Sequence, residues 1–457
     1  MPISYLDALP ILKALNGYGP KADSLGAHWE GGGLGGKGVE YNTGPTPDDV
    51  VLNLVNEQEY VTTPFWNVIG IINGTIEDEV VVVGNHRDAW IAGGAGDPNS
   101  GSAALNEVVR SFGVALAMGW KPLRTIVFAS WDGEEYGLVG STEWVEEYLP
   151  WLNSSTVAYL NVDVGAVGPS FKTSAAPLLH RALIETTKLV LSPNQTKVGQ
   201  TVYDVWDKHI RTMGSGSDFT AFQDFAGIPS VDISFKPGPD TPVYHYHSNY
   251  DSFSWMDKFG DPGFKYHATS ARILALLAAR IAETPIIQFN ATDYAEGLSK
   301  YLDSLQEKAA NSSMFRDIEA LKSNPAFKGL EFAIKAFYNA SLKLDAEAAE
   351  LLEDITQRPV PWWKWWQRIK VYRRVKSVND KYKKLERYFL YKDGLDGRTW
   401  FKHVVFAPGL WTGYAGATFP GLTEAVQFND TGGLWKWSGI TASCVFKAVS
   451  SLTEKGA

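Results

Sequence analysis

Apolar positions along this chain fall into two regimes. From Trp66 to about Glu283, short apolar runs alternate with longer stretches of helical period. Val80-Val81-Val82-Val83-Gly84, Thr125-Ile126-Val127-Phe128-Ala129, Val157-Ala158-Tyr159-Leu160-Asn161 and Pro229 to Phe235 read as strands, with Ser100 to Ala117, Gly140 to Tyr148 and Ala268 to Ile281 as helices. Near-continuous apolar strands are those of a sheet covered on both faces, so the pattern predicts an α/β unit with a mostly parallel central sheet between helices. Ligands of such folds lie outside the carboxyl ends of the strands. After about residue 288 the helical period dominates, in Asp293 to Ala309, Met314 to Ser323, Gly329 to Leu352 and Trp362 to Tyr391, which predicts an all-α region. Before the sheet, residues 1–62 read as a helix from Tyr5 to Leu15, a glycine-rich stretch from Gly26 to Gly38 and a strand from Val50 to Val55. At 457 residues the chain exceeds what one hydrophobic core serves, and the boundaries fall at 1–62, 63–288 and 289–457.

Composition narrows the function. An apolar fraction of 45% with 20% charged residues is that of a packed globular protein. A net charge of -9 offers phosphate no electrostatic attraction, which excludes a nucleic-acid partner and favours small molecules or peptides. Cys444 is the sole cysteine, so no intrachain disulfide forms. Asn-X-Ser/Thr sequons stand at Asn73, Asn153, Asn194, Asn290, Asn311, Asn339 and Asn429, against roughly two or three expected by chance, which points to a secretory, vacuolar or extracellular-facing location. Neither an 18-residue apolar run nor a leader is present, so targeting or a membrane anchor is expected upstream of Met1, in a longer product. The basic, tryptophan-rich run from Trp362 through Lys384 reads as bundle core, with its charges on the solvated face.

Chemistry gathers at the strand ends. His86 follows the Val-rich strand in Gly84-Asn85-His86-Arg87-Asp88; imidazole is a good metal ligand, and the Asp88 carboxylate two residues on can hold its other N–H. In Gly93-Gly94-Ala95-Gly96-Asp97, opening a helix, the glycines permit close backbone approach and Asp97 is placed to bridge two ions. Glu134 and Glu135 follow the second strand; adjacent side chains there point apart, so one can bind metal while the other acts as general base. Asp163 ends the third strand, and His245 or His247 follows a later one.

With these residues in place, the sequence resembles the zinc peptidase family of glutamate carboxypeptidase (the prostate-specific membrane antigen type) and of its non-catalytic relative, the transferrin receptor. Phe128-Ala129-Ser130-Trp131-Asp132 through Ser141-Thr142-Glu143-Trp144, Tyr246-His247-Ser248, Asp261-Pro262-Gly263-Phe264 and Tyr414-Ala415-Gly416 carry the resemblance. It implies two zinc ions, one on His86, Asp163 and a bridging Asp97, the other on Glu135, His247 and the same Asp97, with Glu134 as the base that activates water. It selects His247 over His245, gives Tyr246 and Tyr414 substrate contacts, and matches Glu143 and Glu146 to a calcium site. The implied architecture is a remnant of a protease-associated domain, the zinc-exopeptidase domain and a helical dimerisation-like domain. The implied function is a homodimeric carboxypeptidase for peptides; the alternatives are an aminopeptidase of the same chemistry or a non-catalytic trafficking receptor. Two departures bear on specificity. Where the glutamate-specific enzyme carries an arginine patch this chain has Asp232 and Ser234, and where that enzyme has a lysine it has Gly413, so preference for a terminal glutamate is not expected.

Overall fold

The computed structural model describes residues 3–26, 29, 32–312, 314–315, 324–361 and 363–454. The chain forms two compact units, Met1–Pro64 and Phe65–Ala457. In the first, helix α1 (Tyr5–Ala14) is capped by Ser4, whose hydroxyl accepts from the Asp7 amide. The predicted strand over Val50 to Val55 is not formed: the segment is irregular, with Val51, Leu52 and Leu54 exposed. A strand exists only through its neighbour, and none pairs with these residues among those described.

In the second unit seven strands form one sheet: β1 (Val68–Ile72), β2 (Ile76–His86), β3 (Arg124–Trp131), β4 (Thr156–Asn161), β5 (Ser170–Ala175), β6 (Ile210–Arg211) and β7 (Ser230–Lys236), in the order β1-β3-β2-β4-β7-β5-β6. Strands β3, β2, β4 and β7 are mutually parallel, while β1 and β5 pair antiparallel at either side. The parallel core follows from its sequence: Val80 through Val83 and Val157 through Leu160 are all buried, as a sheet covered on both faces demands. Helices α2 (Asn99–Ala117) and α4 (Lys265–Glu283) pack on one face; the shorter α3 (Val139–Glu147) follows β3. Buried Arg124, at the start of β3, donates to Glu79 at 2.6 Å and to the carbonyls of Ile281 and Thr284 at 2.8 and 2.6 Å, fastening the end of α4 to the sheet. Each guanidinium N–H so used offsets part of the cost of burying the charge.

The C-terminal helices are α5 (Ala291–Ala310), α6 (Pro325–Gln357), α7 (Trp365–Leu385), α8 (Pro420–Gln427) and α9 (Thr431–Thr453), with α6 and α9 in the most extensive contact. One short hairpin, β8 (Phe406–Pro408) with β9 (Gly416–Thr418), interrupts this otherwise helical region. Residues 316–323 of the expected helix from Met314 to Ser323, and Trp362, lie outside the described residues. The reading of the tryptophan run as bundle core is overturned: Trp365, Trp366, Ile369 and Tyr372 stand exposed on the first turns of α7, and burial begins only at Val378. No described helix is long and apolar enough to cross a membrane.

Candidate metal centre

Strands β2, β3 and β4 run in register and stop together, so the residues that follow them converge. His86 is the last residue of β2, opposite Trp131 at the end of β3. The turn carrying Glu134 and Glu135 follows β3, and Asp163 stands two positions beyond the end of β4. Asp97 lies just before α2, whose N-terminal turn presses against the loop after β4. A Cβ on Gly101 would stand 2.0 Å from the Asp163 carbonyl oxygen, so only glycine allows this approach. His247 comes from the loop after β7 and holds a left-handed backbone at φ 52°, a conformation that costs energy in a non-glycine residue and clusters at functional sites.

These residues meet in two sets. His86 Nε2 lies 3.2 Å from Asp163 Oδ1 and 3.2 Å from Asp97 Oδ1. His247 Nε2 lies 3.4 Å from Asp97 Oδ2 and 3.2 Å from Glu135 Oε2. The two oxygens of Asp97 thus face different imidazoles. Within each set the potential donor atoms lie within 4.8 Å of one another. Glu134 belongs to neither set. Its Oε2 is 3.9 Å from His86 Nδ1, and its side chain lines the cavities on both sides of the centre.

Asp88 faces His86, as expected, and has a further part. His86 Nδ1 lies nearest the Asp88 carbonyl oxygen, at 3.1 Å, with the carboxylate at 3.6 Å. The carboxylate also accepts the backbone N–H groups of Glu134 and Glu135, each at 3.0 Å, and fixes the turn that presents both glutamates. Asp251 does the same for Asp97: its oxygens accept from the Gly96 and Asp97 amides at 2.7 and 3.1 Å, and from the Tyr244 hydroxyl at 2.9 Å. Nothing in the sequence marks that role, since the partners lie 154 and 155 positions apart.

Crowding shapes the electrostatics. Burial, then the Asp163 carboxylate, pushes the Glu134 carboxyl up to about 10, and burial, then Asp97, pushes Glu135 to about 7. Burial also opposes charge on Asp163, yet adjacent His86 holds that carboxyl below its ordinary value. For His86 burial works against the imidazolium and is outweighed by the Asp163 carboxylate, which raises it. Two further buried carboxyls, Asp218 and Asp232, are each pushed to about 7 by burial first. Nitrogen and oxygen donors crowded in this way fit divalent cations, whose charge turns mutual repulsion into attraction.

Tyr246 and Tyr414 touch through their hydroxyls at 3.1 Å, and Tyr246 stacks on the His247 ring at 3.6 Å between centroids. Both tyrosines line both cavities. Glu143 and Glu146 are exposed on α3, apart from the two donor sets; the Glu146 carboxylate accepts from Trp400 Nε1 at 2.6 Å.

The chain is similar to known proteins along most of its length. Residues 67–260 match the model of peptidase family M28, and residues 326–453 that of the transferrin receptor-like dimerisation domain. A protein of Arthroderma benhamiae named probable glutamate carboxypeptidase is 46% identical over 432 residues, covering 93% of this chain and 56% of that protein. Aminopeptidase NAALADL1 of Mus musculus is 33% identical over 453 residues, covering 93% and 56%. Among solved structures, a zinc aminopeptidase from Bacillus subtilis overlays 48% of this chain and 50% of its own at 20% identity, with a TM-score of 0.38. The chain spans about half the length of the curated relatives it matches.

Replacing Asp88 with Ala frees two backbone amides beneath the paired glutamates. It is expected to weaken divalent-cation binding by roughly 10- to 100-fold while the fold persists, as loss of a group that orients ligands does. Calorimetric zinc titration with circular dichroism reads this; unchanged affinity would show that the turn holds its shape unaided.

Proposed function

We propose, for a chain that belongs to peptidase family M28 and carries a transferrin receptor-like dimerisation domain, that it is a two-zinc exopeptidase acting on peptides. The observation that carries this reading is the placement of Asp97, one oxygen toward His86 and the other toward His247. His86, Asp163 and Asp97 would hold one zinc, and Asp97, Glu135 and His247 the other, an N/O donor set suited to that metal. Two zinc ions would polarise the scissile carbonyl and make the attacking water more acidic.

The protein supplies the rest. Glu134, bound to neither donor set and open to both cavities, accepts the proton of the attacking water and returns it to the leaving amine. The Tyr246 hydroxyl, steadied by Tyr414 and by the stack on His247, is positioned to donate to the oxyanion of the tetrahedral intermediate.

One cavity, of about 650 Å³, is walled by Trp90, Leu138, Trp400 and Phe401, with no lysine or arginine among its lining residues. Such a wall suits a neutral or apolar residue and offers an acidic side chain no partner, at a cost of several kcal/mol. The exposed sequons Asn73, Asn153, Asn194, Asn311, Asn339 and Asn429 support a secretory or vacuolar setting; Asn290 is buried as the cap of α5. The matched dimerisation domain supports a homodimer, as do Phe332 of α6 and Phe446 of α9, exposed with ring centroids 6.1 Å apart.

Replacing Glu134 with Gln should lower kcat by about 10²- to 10⁴-fold and leave two zinc ions per chain, whereas replacing Asp97 with Ala should release both. Zinc lost together with activity in the Glu134 variant would mean that Glu134 is a ligand. In a matched dipeptide series, kcat/KM for substrates ending in Leu, Met or Ala should equal or exceed that for Glu. A preference for Glu of about a hundredfold, roughly 2.7 kcal/mol, would overturn the reading of the apolar wall. Light scattering on the purified chain should give twice the monomer mass at micromolar concentration, and a monomer would remove the dimer.

A further inference from the structure

The first turns of α7 stand clear of the bundle. On a helix of about 3.6 residues per turn, Trp365, Ile369 and Tyr372 share one face, within about 60° of one another, while Arg374 lies about 180° from Trp365. Arg374 turns toward α6, where it reaches Glu347 and Glu350 at 3.6 and 3.9 Å. The stripe of Trp365, Ile369 and Tyr372 therefore faces away from α6, and its side chains are 63, 42 and 61% exposed. Trp366 beside it is half exposed, and its ring meets that of Trp365 edge to face at 6.0 Å. One turn beyond Tyr372, Lys376 pairs with Asp78 at 2.8 Å, and burial begins at Val378. The open face is thus confined to the beginning of the helix.

Cations border that face. Arg368 and Arg373 flank it on either side, Lys370 lies further round the helix, and no Asp or Glu occurs from Trp363 to Asn379. Among the described residues none of Arg368, Lys370 and Arg373 forms an ion pair, whereas Arg374 and Lys376 do. An exposed stripe of Trp, Ile and Tyr bordered by Arg and Lys is the pattern of a helix that lies in a membrane interface: aromatic rings settle among the headgroups while the cations meet anionic lipid. A second copy of the chain fits less well, because a two-fold contact would set the same cations against each other. Nucleic acid fits less well too, because its phosphates would have to approach a protein whose net charge is -9.

We propose that the beginning of α7 docks on an anionic phospholipid surface. Trp365, Trp366, Ile369 and Tyr372 enter the headgroup region, and Arg368, Lys370 and Arg373 meet the lipid phosphates and carboxylates. A contact made by the first turns of one helix is shallow, reversible and sensitive to salt, and it lies on the surface rather than spanning it. None of these residues belongs to the metal centre, so the surface adds a location to the chemistry without altering it.

Co-sedimentation of the purified chain with vesicles tests it. The chain should partition onto phosphatidylcholine vesicles that carry phosphatidylserine about 10- to 100-fold better than onto phosphatidylcholine alone, an advantage that fades as salt rises. Arg368→Gln with Arg373→Gln should cost about 25-fold, roughly fivefold for each charge, while Arg368→Lys with Arg373→Lys keeps the binding. Trp365→Ser with Ile369→Ser should cost about tenfold or more at constant charge. Because all of these side chains are exposed, circular dichroism and the mass by light scattering should match those of the unaltered chain in every variant. No preference for the phosphatidylserine vesicles overturns the proposal, as does binding that either the glutamine or the serine variant retains in full. A fall in mass in the serine variant also overturns it, by making the face an interface between copies. Binding of a DNA duplex that is tighter than binding to vesicles and is lost in the glutamine variant assigns the face to nucleic acid and overturns it as well.

Discussion

Like-charge crowding governs this structure. Asp97, Asp163, Glu134 and Glu135 converge on two imidazoles in a largely buried space where, at an effective dielectric near 20, two carboxylates 4 Å apart repel by about 4 kcal/mol. The protein relieves part of that by protonation, with His86, Glu134 and Glu135 all raised, and a divalent cation would relieve more of it. The fold is therefore organised to hold the charges together. Parallel strands that end at one level set their height, and the glycine at the start of α2 lets the Asp97 loop close on the Asp163 loop. Two further aspartates, Asp88 and Asp251, spend their oxygens on backbone amides of the loops that carry Glu134, Glu135 and Asp97.

That division of labour explains the asymmetry among the acids. Of those facing the centre, Glu134 and Glu135 are raised by burial first and by neighbouring carboxylates, and Asp163, although burial works against its charge, is held down by an adjacent imidazole. Those behind it are satisfied by N–H donors: Asp88, although burial works against its charge, lies below its ordinary value through His86 and the Glu134 and Glu135 amides. The same residue type serves as ligand candidate or as brace according to which way its carboxylate turns.

Much of this was legible in the sequence, for physical reasons that can be named. The strands β2, β3 and β4 announce themselves because a sheet covered on both faces needs uninterrupted apolar runs, and Val80 to Val83 can be little else. Once their ends are known, the residues just past them are the only ones a parallel sheet can bring together, which is why His86, Glu134, Glu135 and Asp163 could be listed from spacing. His247 could not be chosen over His245 on spacing alone, because a loop residue at positive φ follows no periodic rule. Val50 to Val55 misled because an apolar run has strand propensity but no strand without a partner, and Trp365 to Tyr372 because amphipathic period does not say whether a helix's first turns reach the body of the protein. The hold of Asp88 on the Glu134 and Glu135 amides was not legible, since it joins residues 46 and 47 positions apart.

The junction between sheet and bundle carries a consequence of its own. Glu386, at the end of α7, is fully buried, and its Oε1 accepts from Gln223 at 2.7 Å, Tyr294 at 2.9 Å and His403 at 3.0 Å, while neighbouring Arg387 reaches the Leu152 and Thr156 carbonyls at 3.0 and 2.7 Å. Gln223 lies just before β7; the other two lie beyond residue 288. One carboxylate thus ties together three stretches far apart in sequence, each contributing a donor that would be orphaned if Glu386 were exchanged. The border at which a domain would ordinarily be recombined is here a shared knot. A lineage could not swap this helical half for another without rewriting Gln223, so the two halves are bound to diverge in step.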